Sequence, residues 1–469
     1  MIKSVQKKIP FQFIFEEVII LVHKMSIFMV FAIPIIFGSI FQQFYNFADA
    51  KIVSAYVGTD AFAAVGATSV VSNTIIAFMN GLTQGFAIPI AISYGAKEEK
   101  NMRKLVAGTM KLTLATTVLV TACVLIAIPN ILTALKTPDE IYDISLSYVR
   151  IILCGVVFCA IYNMCANTLR AVGDSKTPLY CLIASVIINV LLDLLFVGGF
   201  GLGMKGAAYA TLVAQACCAI ACLIIMFLRF RVLLPKKDEW HLNGSQYGTL
   251  ITTGLSMGLM TCIVNLGTIV LQSAINSLGT VVVAAHTAAR RVFDVLCVTL
   301  YCIGISMTTF VSQNLGARKP ERVKQGVWVA IRLVTIITTV LIVICFVFGE
   351  AVFQWLTSST DKELIDYAVM YSRISILFFY ALGPLFILRC SLQGLGKRII
   401  PILSSVVEMV IKVLSANFLV PLCGYVGVAF TEPISWVIMA VVLAVAFFTC
   451  DIKSLMQKEE ALEIVTEET

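Results

Sequence analysis

The chain has 469 residues, is 59% hydrophobic and only 13% charged, and has a mean hydropathy of +0.95. A soluble globular chain carries about 25% charged residues, so the composition excludes one and points to an all-α integral membrane protein. The net charge of +7 is not a nucleic-acid signal, because the basic residues gather in short loops between apolar segments, as membrane topology requires.

Apolar stretches of membrane-spanning length recur throughout; a helix needs about 20 residues to cross a hydrocarbon core about 30 Å thick. The alternating segments of about 10 residues that a barrel would show are missing. At the start, Lys3, Lys7 and Lys8 precede a segment broken by Pro10, Glu16 and Glu17, which reads as an amphipathic lead-in rather than a cleavable signal peptide. The first span is predicted over 25–56. Pro34 should bend it, since proline removes a helix hydrogen bond. It ends in an unusually polar run, Gln42, Gln43, Tyr45, Asn46 and Asp49. The second and third spans cover 60–94 and 104–128. The fourth, 141–169, carries Tyr148 near its outer end, then Asn163 and Asn167. The fifth, 179–199, holds Asn189 and Asp193, four apart and so on one helix face. The sixth, 206–229, contributes Thr211.

A basic polar segment follows, containing Pro235, and is read as a cytoplasmic linker over 230–246 between an N-lobe, 1–229, and a C-lobe, 247–450. The seventh to ninth spans are 247–278, 281–314 (with Arg290 and Arg291) and 325–349. The tenth, 363–392, holds Arg373; the eleventh, 401–420, holds Glu408 and Lys412; the twelfth, 425–450, holds Glu432 before Pro433. An acidic tail, 451–469, is expected to be solvated. The basic loops around Lys97, Arg103, Arg170, Arg231, Arg318 and Lys397 fall on one side, which the positive-inside rule makes cytoplasmic. Both termini should lie on that side.

The two halves repeat. Leu169–Pro178 aligns with Leu392–Pro401, Gly95-Ala96-Lys97 with Gly316-Ala317-Arg318, and Gly203–Ala207 with Gly424–Val428, all about 221–223 residues apart. The expected architecture is therefore twelve transmembrane helices in two six-helix lobes, related by a pseudo-two-fold axis along the membrane normal, with a substrate path between them.

Buried carboxylates carry the functional signal, because an Asp at a helix centre costs about 2.5–3.5 kcal/mol to insert. Asp49 and Asp193 could converge on a proton or Na⁺ with help from Asn and Thr oxygens, or be satisfied separately. Glu408 and Lys412, at i,i+4 spacing, could neutralise each other or, with Glu432, serve substrate binding or lobe contact. Arg290, Arg291 and Arg373 are candidates for the same roles, with snorkelling to an interface as the plainer reading. The fifteen cysteines sit mostly in apolar spans and read as buried and reduced. His23, His241 and His286 are isolated, so no metal site, catalytic residue or cofactor is expected beyond a transported ion. The sequence has no nucleotide-binding loop, which disfavours ATP-driven transport by this chain alone.

Several segments together resemble the multidrug and toxin extrusion (MATE) family. They are Gln42–Asp49 with Val57-Gly58 and Ala63–Gly66, Leu169–Pro178 with Asn189 and Leu192-Asp193, Gly206–Thr211, and Leu392–Gly396. The resemblance covers essentially the whole chain. It implies an alternating-access antiporter that exports organic, often cationic, compounds against H⁺ or Na⁺. It also implies an N-lobe cation site at Asp49, Asn189, Asp193, Thr211, Tyr148 and Asn163. Some members instead use acids in the seventh and tenth spans; this chain has none in 247–278 and, in the tenth, only Glu363 and Asp366 near its outer end. A flippase for a lipid-linked saccharide of the same superfamily is the alternative, and would need a cationic cavity built from Arg290, Arg291, Arg373 and Lys412. A receptor or scaffold is disfavoured by the absence of any soluble signalling domain. The expected setting is the inner membrane of a bacterium, with the lipid bilayer and a small organic substrate as partners and a monomer as the working unit.

Overall fold

A computed structural model describes residues 25–26, 28–45, 52, 56, 59–134, 137–357 and 361–454, with backbone only at 59–67, 70, 134 and 140; Asp49 lies outside the described residues. The first half comprises α1 (Phe28–Tyr45), α2 (Thr59–Ala96), α3 (Glu99–Ala134), α4 (Asp139–Ala171), α5 (Lys176–Asp193) and α6 (Gly203–Arg229). The second comprises α7 (Gly244–Asn276), α8 (Thr280–Gly316), α9 (Pro320–Thr357), α10 (Lys362–Leu377), α11 (Phe379–Gly394), α12 (Ile399–Leu414), the short α13 (Val420–Cys423) and α14 (Tyr425–Phe448). No strand occurs among the described residues. Among the described residues, eleven helices are long and apolar enough to cross a membrane, and the bent pair α10–α11 makes up to twelve. The chain is a multi-pass membrane protein.

The tenth predicted span is thus two helices, meeting at 52° around Phe378. Gly383-Pro384 follows within two turns of the break, and a proline there weakens the helical hydrogen-bond ladder on its N-terminal side. Pro34, by contrast, lies inside a helix that runs unbroken from Phe28 to Tyr45, and is buried. All fifteen cysteines are free. Cys123, Cys154 and Cys217, expected to be buried, are exposed on the outer faces of their helices, where lipid would meet them.

Local geometry carries the internal repeat. Lys97 and Arg318 both adopt left-handed backbone angles, φ 64° and 57°, at the ends of α2 and α8. Gly203 and Gly424, φ 58° and 57°, both mark the start of the last helix of their half. α5 and α12 both run on into a π-helical turn, Leu194–Gly199 and Ser415–Leu419.

The halves interlock at the basic end of the bundle. Phe28, Ala32, Ile35 and Ile36 of α1 belong to the core of the second half, with Leu300, Met307 and Leu388. In exchange, Leu250 of α7 belongs to the core of the first. α2 and α7 meet through facing GxxxG motifs: a Cβ on Gly85 would stand 2.4 Å from the Thr253 carbonyl oxygen, and one on Gly254 would stand 2.3 Å from the Phe86 ring. Such small residues let backbones approach where lipid gives no hydrophobic drive to pack. Closer to the basic end α2 crosses α8. Here a Cβ on Gly95 would meet the Gln313 carbonyl oxygen at 2.0 Å, and one on Gly316 the Ile92 oxygen at 2.0 Å. A cavity of about 560 Å³ beside this crossing is lined by Tyr94, Lys97, Phe310, Asn314 and Arg322 among others.

The segment joining the halves is folded onto α3. Arg103 binds both carboxylate oxygens of Glu239, at 2.9 and 2.8 Å. Lys111 donates to the Trp240 carbonyl, and Asn243 with Gln246 forms a capping box that starts α7. The Arg103 guanidinium holds the Glu239 carboxyl below the usual carboxylate range. A lowered carboxyl stabilises the folded form above its unfolded pKa, and that stabilisation fades as pH falls through and below about 4. Glu239→Gln is therefore expected to speed tryptic cleavage at Lys236 and Lys237 several-fold at pH 7. Rates equal to those of the native chain would show that the clamp contributes nothing.

Candidate functional site

Two polar clusters sit in the membrane-spanning helices, one in each half. In the first, Asn189 is 1% exposed and Asp193 fully buried, on the inward face of α5. Asp193 is the last α-helical residue before the π turn, a wider turn that often marks functional sites. With its amide oriented to satisfy both groups, Asn189 donates to Asp193 Oδ2 at 2.9 Å and accepts from the Thr211 backbone N–H at 3.2 Å. The Thr211 hydroxyl lies 3.3 Å from the hydroxyl of Tyr45 on α1. One carboxylate, one amide and two hydroxyls from α1, α5 and α6 thus converge at one site, with Asn189, Asp193 and Thr211 buried and Tyr45 half-buried. Oxygen donors of this kind suit a proton or a hard monovalent cation.

Not every residue expected here joins the cluster through a described contact. Tyr148 packs against Val197 in the π turn and Met204 and Ala207 of α6. The Asn163 amide donates to Cys159 Sγ at 3.6 Å, a contact one turn away on its own helix. Tyr45 was noted within the polar run of the first span but not singled out as a site residue; its place in that run was its only signal.

The second cluster is a chain of alternating charge. Asp294 Oδ1 lies 3.4 Å from Arg290 Nε. Arg290 Nη1 donates to Glu432 Oε2 at 2.7 Å, and the Tyr371 hydroxyl donates to the same oxygen at 3.2 Å. Glu432 Oε1 is 3.7 Å from Lys412 Nζ, which is 3.1 Å from Glu408 Oε1. Glu408 Oε2 is 3.5 Å from Arg389 Nη2. Three carboxylates and three cations from α8, α14, α12 and α11 balance one another. Beside them His286 sits edge-on to Tyr371, with Nδ1 3.3 Å from the Tyr425 hydroxyl.

The candidates Arg290, Glu408, Lys412 and Glu432 are therefore brought together, and the local pair at i,i+4 is one link of a longer chain. Arg373 is not part of it: it projects from the exposed side of α10, its guanidinium 5.4 Å from the Phe346 ring centre. Arg389 and Asp294 were missed, although each is a charge inside a predicted apolar span and that alone was a usable signal. His286, read as isolated in sequence, gains its partners only from the approach of α10 and α14.

Similarity to known proteins agrees with this architecture. The chain is 28% identical to the probable multidrug resistance protein YoeA of Bacillus subtilis (strain 168), over 82% of this chain and 83% of that one. It is 22% identical to a protein named FAD transporter from Shewanella oneidensis, over 87% and 91% respectively. A MATE crystal structure in the bent conformation superposes with a TM-score of 0.85 at 21% identity, covering 93% of this chain and 97% of that one, and so shares the fold. The MatE family model matches twice, over residues 34–195 and 256–418, once in each half. On those two matches, the chain belongs to the MatE family of multidrug efflux transporters.

Proposed function

We propose that the protein is a cation-coupled antiporter, driven by H⁺ or Na⁺, that exports organic and often cationic compounds by alternating access. The observation that carries this reading is the buried Asn189–Asp193–Thr211 cluster with Tyr45 from the first span. It is an oxygen-lined site at which a proton or Na⁺ would change the local charge by one. Asp49, two residues short of Lys51 on the first span, is proposed as the second carboxylate of that site, and Tyr148 and Asn163 as its outer wall. Ion occupancy would shift the balance between two arrangements of the lobes only insofar as the ion binds them unequally. Pro34 is proposed as the point at which α1 yields. The setting proposed is the inner membrane of a bacterium, with both termini and the basic end cytoplasmic, the monomer as the working unit, and no cofactor.

The flippase reading needs a cationic cavity. The cations it relied on do not favour one: Arg290 and Lys412 are each matched by carboxylates, and Arg291 and Arg373 are exposed. The deciding experiment is efflux of a fluorescent organic cation from proteoliposomes under an imposed proton gradient, then a sodium gradient. Because one relative is named an FAD transporter, FAD is loaded in a parallel arm. Export driven by one ion is expected, and Asp193→Asn should reduce gradient-driven export at least 100-fold while leaving expression intact. Undiminished export by Asp193→Asn would remove this site from the mechanism, and no response to either gradient would overturn the antiporter.

A further inference from the structure

The two clusters occupy equivalent places in the repeat. Pro178 aligns with Pro401, and from there the buried face of α5 (Cys181, Ser185, Asn189) runs in register with that of α12 (Ser404, Glu408, Lys412). Asn189 thus corresponds to Lys412. Thr211 stands eight residues after Gly203, and Glu432 eight after Gly424, so these two correspond as well. The first-span residue that touches the first cluster is Tyr45, and the first helix of the second half, α7, likewise sends one hydroxyl, that of Thr268, to the second cluster. Thr268 touches the second cluster: Lys412 Nζ donates to its hydroxyl at 3.1 Å.

At this equivalent position the second half holds an ammonium. Lys412 is 2% exposed, and its Nζ faces three oxygens from three helices: Glu408 at 3.1 Å, Thr268 at 3.1 Å and Glu432 at 3.7 Å. The side chain reaches that point because its neighbour on α7 is Gly267, where a Cβ would stand 3.2 Å from Lys412 Cδ. Since the six-charge chain balances only with Lys412 counted, deleting this one ammonium leaves a net negative charge facing a vacant, oxygen-lined space.

We infer that Lys412 is a tethered cation: its ammonium permanently fills, in the second half, the site that the coupling ion visits in the first, and the pocket behind it is a latent monovalent-cation site. The chemistry is that of any small ammonium or alkali ion, since an ammonium is a point charge with three donors. The consequence is an asymmetric transporter, with one half held in a constant charge state and the other free to cycle. This rests on the proposal that the Asp193 cluster takes the coupling ion.

The test uses Lys412→Ala in an Asp193→Asn background, purified full-length in detergent, and reads the thermal unfolding midpoint against methylammonium, Na⁺ or choline chloride at equal ionic strength. Methylammonium reproduces the lost headgroup and should raise the midpoint saturably by about 3 °C or more over choline. Na⁺ tests whether the site accepts an alkali ion. Asp193→Asn alone should show no such response, and adding Glu432→Gln to Lys412→Ala should abolish it. A midpoint indifferent to methylammonium overturns the inference, as does a variant that folds in none of the three salts, because a vacated cation site must accept its own headgroup. Lys412→Arg, which keeps the charge, should remain folded in choline; a purely steric role for the lysine would leave Lys412→Ala unresponsive to every cation. The Asp193→Asn efflux assay fails or succeeds independently of these midpoints, so loss of the coupling-site reading and loss of the tethered-cation reading are separately visible.

Discussion

Glu432→Ala should destabilise the protein by about 3–5 kcal/mol, the cost of removing one partner from a buried ion pair. Glu432 takes charge-assisted hydrogen bonds from Arg290 at 2.7 Å and faces Lys412 at 3.7 Å, while Tyr371 donates to the same carboxylate. Truncation takes from two cations and a hydroxyl the buried carboxylate they share, and leaves the chain one negative charge short. Glu432→Gln keeps an acceptor of the same shape and should cost visibly less. The measurement is the unfolding midpoint of each variant in detergent, with expression level as a second readout. Equal midpoints for native protein and Glu432→Ala would mean that the charge chain contributes nothing to the fold. Truncating Asp294, whose side chain is 51% exposed at the end of the chain, should matter far less, as exposed pairs do.

The second large effect is expected where α2 crosses α8. Gly95→Ala or Gly316→Ala would set a methyl 2.0 Å from a backbone oxygen of the other half, and backbone cannot rotate aside as a side chain would. The overlap is relieved only if the crossing opens, at a cost of about 1–3 kcal/mol for overpacking, which shifts the balance against the closed crossing by about 5- to 150-fold. Spin labels on Lys100→Cys and Arg322→Cys, with the exposed native cysteines replaced, should report a longer distance across the basic end in either variant than in the parent. Export should fall at least tenfold. An unchanged distance distribution would show that the crossing accommodates the methyl in place and is not a gate.

The architecture was legible because it rests on composition and on a long repeat. Span boundaries were found to within a few residues, except that helices such as α9 run past their apolar centres, from Pro320 to Thr357. The break at Phe378 was missed because Gly383-Pro384, its nearest sequence signal, sits beyond it rather than at it. The facing GxxxG motifs of α2 and α7 were present in the sequence as Gly81–Gly85 and Gly254–Gly258, but spacing alone does not say which helix a motif meets. The same limit divides the sites. Asn189–Asp193 and Glu408–Lys412 were readable as pairs because each lies on one helix. Their links to Thr211, Glu432, Arg290 and Arg389 depend on how separate helices approach, which periodicity does not encode. Asn163 follows the opposite course: a polar residue inside a span invites a long-range role, and its amide turns instead to the cysteine one turn before it.

The seating of α1 in the second half bears on how the chain is made. Ser39 on α1 contacts Cys302, 263 positions further along, and the Phe28 ring packs tilted against Phe310 at 4.8 Å between ring centres. These contacts of α1 therefore form only after the eighth helix has been synthesised. Until then the face that carries Phe28, Ala32, Ile35 and Ile36 lacks the second-half residues it packs against. Part of this segment's assembly thus waits on helices made much later, and a truncated first half would leave that face of α1 uncovered, a natural substrate for membrane quality control.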